Sequence, residues 1–144
     1  MVGYDPRVIR TRHGDLTPEQ VADALPGTGE VMRGVGHCHA MAWHAAQGGN
    51  WDLAAYFSRR VRSLLRGLAV TRPQYAEQIA GFERGLLEAA YQALLARDLT
   101  AFESAYRRTV DRANELHVET GHAYIRWSPP EQPPDAALDL SPAG

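Results

Sequence analysis

Apolar residues recur at intervals of three and four along most of this chain, the spacing of an amphipathic helix rather than the alternation of a strand. Met32, Val35, His39, Ala42, Trp43 and Ala46 share one face of a segment that ends at Gly48-Gly49. After Asn50 the stripe is Leu53, Phe57, Val61, Leu64 and Leu68, and after Pro73 it is Tyr75, Ile79, Phe82, Leu86, Ala90 and Leu94. The last stripe runs Phe102, Tyr106, Thr109, Ala113, Leu116, His117 and Thr120, and Gly121 closes it. No strand pattern of comparable quality competes.

Capping signals place the boundaries. Thr17-Pro18-Glu19-Gln20 has the cap, the proline and the glutamine that open a short helix, which Pro26-Gly27 stops. The next helix spans about 28–47, with the glycine pair as its stop. Asn50 caps the second long helix, with Asp52 in its first turn where the helix dipole favours negative charge. Pro73 opens the third, and Thr100 with Glu103 reads as a capping box for the fourth. Residues 1–16 show no periodicity and predict an extended arm. Five prolines after Trp127 exclude a further helix and predict an extended, partly disordered tail. Helices of about 20 residues, roughly 30 Å long, joined by short connections must run antiparallel to their neighbours. The expectation is an all-α, up-down-up-down four-helix bundle over 28–126. A 1–27 arm with a short helix precedes it, and a Pro-rich tail over 127–144 follows.

Composition narrows the function classes. With 144 residues, 44% of them apolar, one core is the natural organisation. A net charge of -2 gives no steering toward nucleic acid or an anionic membrane. No apolar run approaches the ~20 residues that span a bilayer. The start carries no basic region followed by an apolar run, and the single cysteine, Cys38, forms no internal disulfide, so the expected compartment is the cytoplasm.

The histidines are the candidate chemistry. His39 and His117 lie on apolar stripes and His122 follows Gly121, whereas His37 and His44 lie roughly 160 and 140 degrees from His39. A neutral imidazole can ligate a metal, transfer a proton, or sit buried with one partner. In an antiparallel pair His39 and His117 are offset by roughly 12 Å, too far for one ion with bonds near 2.1 Å. Small residues near both, Gly34, Gly36, Ala40, Ala42, Thr109 and Ala113, permit either close helix packing or space for a ligand.

Two stretches together carry a family resemblance. The first holds Pro26, Gly27, His39, Trp43, Asn50, Trp51, Leu53 and Ala54; the second holds Ala113, Leu116, His117, Gly121, His122, Ile125 and Arg126. Over about 100 residues the chain resembles small bacterial cytochrome-c-like proteins, and its layout is similar to cytochrome c′. Such proteins carry Cys-x-x-Cys-His on the fourth helix, and Ala113 and Leu116 stand here where the thioether cysteines would be. The resemblance implies haem b held non-covalently. His117 would be its axial metal ligand, with Ala113, Leu116, Met32, Val35 and Trp43 about the cofactor. The distal side would be open near Met32 and Val35 for a small ligand or for peroxide or N–O chemistry. Two further readings stand beside it. A haem-free descendant could use the vacated cavity for a small organic molecule, with His39, His117 and His122 as acid–base groups. A silent bundle could instead bind a partner or form a homodimer, as cytochrome c′-like bundles do through their first two helices.

Overall fold

The computed structural model describes residues 7–143, and helix dominates them. The helices are α1 (Pro18–Ala24), α2 (Thr28–Gln47), α3 (Trp51–Thr71), α4 (Ala76–Phe82), α5 (Glu88–Leu95) and α6 (Leu99–Glu119). A 3₁₀ turn, Pro73–Tyr75, leads into α4, and a π turn, Glu83–Leu87, joins α4 to α5 without a break in the helical path. Among the described residues no helix is long and apolar enough to cross a membrane.

Two turns reverse the chain by the same device. At Gly48-Gly49-Asn50 the α2 carbonyls of Ala46 and Ala45 accept from Gly49 N and Asn50 N, with Gly49 left-handed at φ +76. Asn50 then caps α3 by accepting from Leu53 N at 3.1 Å. At Ala96-Arg97-Asp98 the carbonyls of Leu94 and Ala93 accept from Arg97 N and Asp98 N, and Asp98 caps α6 by accepting from Ala101 N at 3.0 Å. Both are Schellman closures whose last residue is the next helix's cap. The second corrects the expected cap at Thr100. Glu103, free of that box, accepts from Gln47 Nε2 at 2.8 Å and ties α6 to α2.

The expected third stripe also shifts. Glu83 is buried and accepts from Arg62 Nε at 3.2 Å and from Arg66 Nη2, while Glu88 accepts from Arg62 Nη1 at 2.6 Å. Burial alone would raise the Glu83 pKa, but the two guanidiniums outweigh it and hold it low. The π turn at this point moves the inward face by one residue, so that Leu87 is 2% exposed in place of Leu86.

The core has two clusters. Trp43, Phe102, Tyr106 and their alanine neighbours fill one. Val35, Met41, Phe57, Val61, Leu65, Leu68, Ile79 and Leu87 fill the other. α2 packs extensively along α3, and α5 along α6, whereas α2 and α6 meet sparsely.

The chain ends differ from expectation. Ile9–Thr11 and Gly14–Leu16 pair as a small antiparallel hairpin where an irregular arm was predicted, and residues 1–6 lie outside the described part. The tail is extended, as its prolines dictate, but it is docked rather than loose. Trp127 bonds to Asn114 of α6, Leu140 packs on both core clusters, and the Ser141 carbonyl accepts from Asn50 Nδ2 at 3.0 Å. The segment after Trp127 thus covers the sparse seam between α2 and α6.

Candidate functional site

That seam holds two adjoining cavities. The larger, about 610 Å³, lies among α2, α3, α4 and the end of α6, and its wall includes Met32, Arg33, Leu116, His117 and His122. The smaller, about 250 Å³, is lined by Val35, His39, Ala40, Tyr106, Thr109 and the tail residues Ser128 and Pro130. Phe82, Ala113 and Trp127 border both. Phe82 and Leu87, five residues apart, reach the smaller cavity together because the π turn between them brings that spacing to one side.

The end of α6 builds the histidine pair. Gly121 is left-handed at φ +83. Its N–H donates to the Val118 carbonyl at 3.1 Å, and His122 N donates to the His117 carbonyl at 2.7 Å. In a Schellman closure these two positions ordinarily make an apolar contact; here both are histidines, and the turn sets them on one cavity wall. Thr120 Oγ1 lies 3.3 Å from His122 Nδ1 and also donates to the Leu116 carbonyl at 2.9 Å.

His117 Nδ1 is buried and has no hydrogen-bond partner among the described residues. Burial is the main cause that lowers the His117 pKa, and a proton on His122 would act in the same direction. The Ile125 main chain opposes them, although it does not meet Nδ1 in hydrogen-bond geometry. The net result is an imidazole kept neutral at neutral pH.

His39 stacks on Tyr106 with ring centres 3.9 Å apart and planes within 7°. Its Nε2 is sealed from solvent without a partner among the described residues, and burial lowers its pKa to about 4. Burial likewise raises the Tyr106 pKa, so the phenol stays protonated. Thr109 offers the cavity no free donor, because its hydroxyl donates to the Ala105 carbonyl at 2.8 Å.

Trp127 forms the roof. Its main-chain N–H donates to Asn114 Oδ1 at 2.7 Å and its carbonyl accepts from Asn114 Nδ2 at 2.9 Å. Its ring rests on Gly36, where a Cβ would come within 2.1 Å of it. The bareness of α2 at Gly36 therefore accommodates a ring from the tail.

The residues expected at a cofactor divide three ways. Met32, Ala113, Leu116, His117 and His122 meet at the larger cavity, and Val35, His39 and again Ala113 at the smaller. Trp43 borders neither; it belongs to the aromatic cluster, 4.8 Å from Tyr106 and 6.4 Å from Phe102, with Arg107 over its ring. His44, expected to point elsewhere, has its Nε2 buried beside the tail near Gln132, and His37 is exposed. Arg33, Tyr106 and Trp127 are among the wall residues to which the sequence reading gave no site role. Among the described residues no three His, Cys, Asp or Glu side chains gather as a metal cluster. Comparison of the chain with protein-family models, with curated proteins and with solved structures returns no match.

Proposed function

We propose that this chain binds haem b non-covalently in the larger cavity, with His117 as axial ligand, inside an antiparallel up-down-up-down four-helix bundle. The observation that carries the reading is the placement of His117, neutral and with a buried nitrogen lacking a partner, on the wall of an apolar cavity of about 610 Å³. That volume lies within the roughly 300–1,000 Å³ of small-molecule and cofactor sites.

The residues present suit the group. A neutral imidazole is what iron ligation requires, and burial keeps His117 in that form. Met32, Leu116, Ile79 and Phe82 supply apolar wall, and Arg33 supplies a cation for the carboxylates of a porphyrin. Ala113 and Leu116 carry no thiol, so the attachment is non-covalent. Bound haem b would supply an iron with a face for small diatomic ligands, peroxide or N–O substrates. The protein's part is to hold the ring through His117, to keep water from it with the apolar walls, and to cover it with Trp127.

An absorbance titration with haemin tests this. One haemin per chain should give an intense Soret band, and His117→Ala should shift or abolish it. A spectrum that stays that of free haemin would refute the reading. A second reading draws on His117 and His122 standing on one cavity wall: the same cavity would hold a small organic molecule beside two imidazoles as acid–base groups. Co-purification of such a molecule with a colourless protein would favour it.

A further inference from the structure

The smaller cavity has a chemistry of its own, and it stands whether or not the larger one takes haem. Its volume of about 250 Å³ exceeds the roughly 150 Å³ of an apolar cavity that accepts benzene. It falls below the roughly 300–1,000 Å³ of sites for drug-sized ligands and cofactors, which leaves room for about one aromatic ring. Its walls come from Val35, Val61, Phe82, Leu87 and Val110, and no charged side chain borders it. An ionic ligand is therefore excluded, since a bare charge there would have no counter-ion.

The walls also withhold hydrogen bonds. The surface they present is overwhelmingly apolar. His39 Nε2 is sealed within the protein, out of reach of water and of any molecule in the cavity. The Thr109 hydroxyl is committed to the Ala105 carbonyl at 2.8 Å. A water held in a buried site needs about two to four polar partners, and this wall supplies few. An apolar molecule that enters thus displaces only weakly held solvent. A hydroxyl or an amide would instead give up its hydrogen bonds to water with little in return.

We propose that the smaller cavity is a second binding site, for a small uncharged hydrocarbon of about a single ring's size. Burial of its apolar surface alone would hold it, so affinity falls when a polar group is added. Access runs past Trp127, Ser128 and Pro130, which form the outer wall.

The test is titration of the full chain, without haemin, using benzene and phenol as probes and the protein's methyl resonances as the readout. Benzene should bind saturably and shift the methyls of Val61, Leu87 and Val110, which line only this cavity. The methyls of Leu68, Ile79 and Leu116, which line only the larger cavity, should stay in place. Phenol should bind at least about tenfold more weakly, because its hydroxyl loses water without gaining a partner. Ala40→Phe, which sets a ring in this cavity and leaves the larger one alone, should abolish the benzene shifts. Absence of saturable shifts at Val61, Leu87 and Val110 in the unaltered protein overturns the proposal, and no variant is needed to see it. So does phenol binding as tight as that of benzene, since the wall would then be supplying a hydrogen bond. Benzene shifts that persist in folded Ala40→Phe overturn it too, because the probe would then be lodged elsewhere.

Discussion

The carboxamide of Asn114 holds the main chain of Trp127 at both its polar groups, and so fastens the tail to the last helix. The bond pair is partly open to water, and each bond contributes about 0.5–1 kcal/mol at most. Asn114→Ala should therefore cost about 1 kcal/mol in global stability. Its larger effect should be local: hydrogen exchange at residues 127–130 should accelerate while the α3 core is unchanged. Unaltered exchange at Trp127 would mean that the tail is held by other contacts.

Gly36 sets the depth to which the Trp127 ring descends. A methyl there would come within 2.1 Å of the ring, and the ring must move. Gly36→Ala gains helix propensity of up to about 1 kcal/mol, yet overpacking costs about 1–3 kcal/mol. The net prediction is a lower melting temperature with a red-shifted tryptophan emission. A melting temperature that rises with unchanged emission would show that the ring yields freely.

His39 makes stability depend on acid in a definite direction. Its folded pKa of about 4 lies below the ordinary histidine value of 6.5, so between those values the unfolded chain binds a proton that the folded chain refuses. Stability is unaffected above pH 6.5, falls as the pH drops toward 4, and levels off below it, with a total loss of up to about 3 kcal/mol. His117 and His44 are shifted the same way and add to the loss. Denaturant unfolding at a series of pH values should show His39→Phe to be less acid-sensitive than the unaltered protein. Parallel curves would remove His39 as the cause.

Arg97 adopts φ 54, a left-handed conformation that costs a side-chain-bearing residue about 1 kcal/mol or more. Arg97→Gly should stabilise the protein by about 0.5–1 kcal/mol. Gly121→Ala, at φ +83, should destabilise it by a similar amount and loosen His122 from His117. Paired thermal melts check both signs at once.

The same positions explain what the sequence could and could not disclose. Gly48-Gly49 and Gly121 advertise their turns, because glycine is the usual residue at a left-handed cap. The closure at Arg97 carries no such signal, and the Thr100 box drew the boundary away from Asp98. The stripe through Phe82 and Leu86 follows ordinary helical spacing and gives no warning of the π turn that substitutes Leu87. His39, His117 and their small neighbours were legible from periodicity alone. The role of Trp127 was not, since a ring six residues beyond the Gly121 stop is placed by tertiary contacts with Gly36 and Asn114. Nor was the pairing of His117 with His122, which depends on the hydrogen bonds of the closing turn.

The central claim is that His117 presents its imidazole to a planar iron-bearing ligand, and rescue of a shortened side chain tests it most directly. His117→Gly leaves room at the wall for free imidazole, and the absorption spectrum with haemin is read before and after imidazole is added. The account predicts an altered Soret band in His117→Gly that imidazole returns to the form of the unaltered protein. A His117→Gly spectrum already identical to that of the unaltered protein, with no response to imidazole, would contradict it.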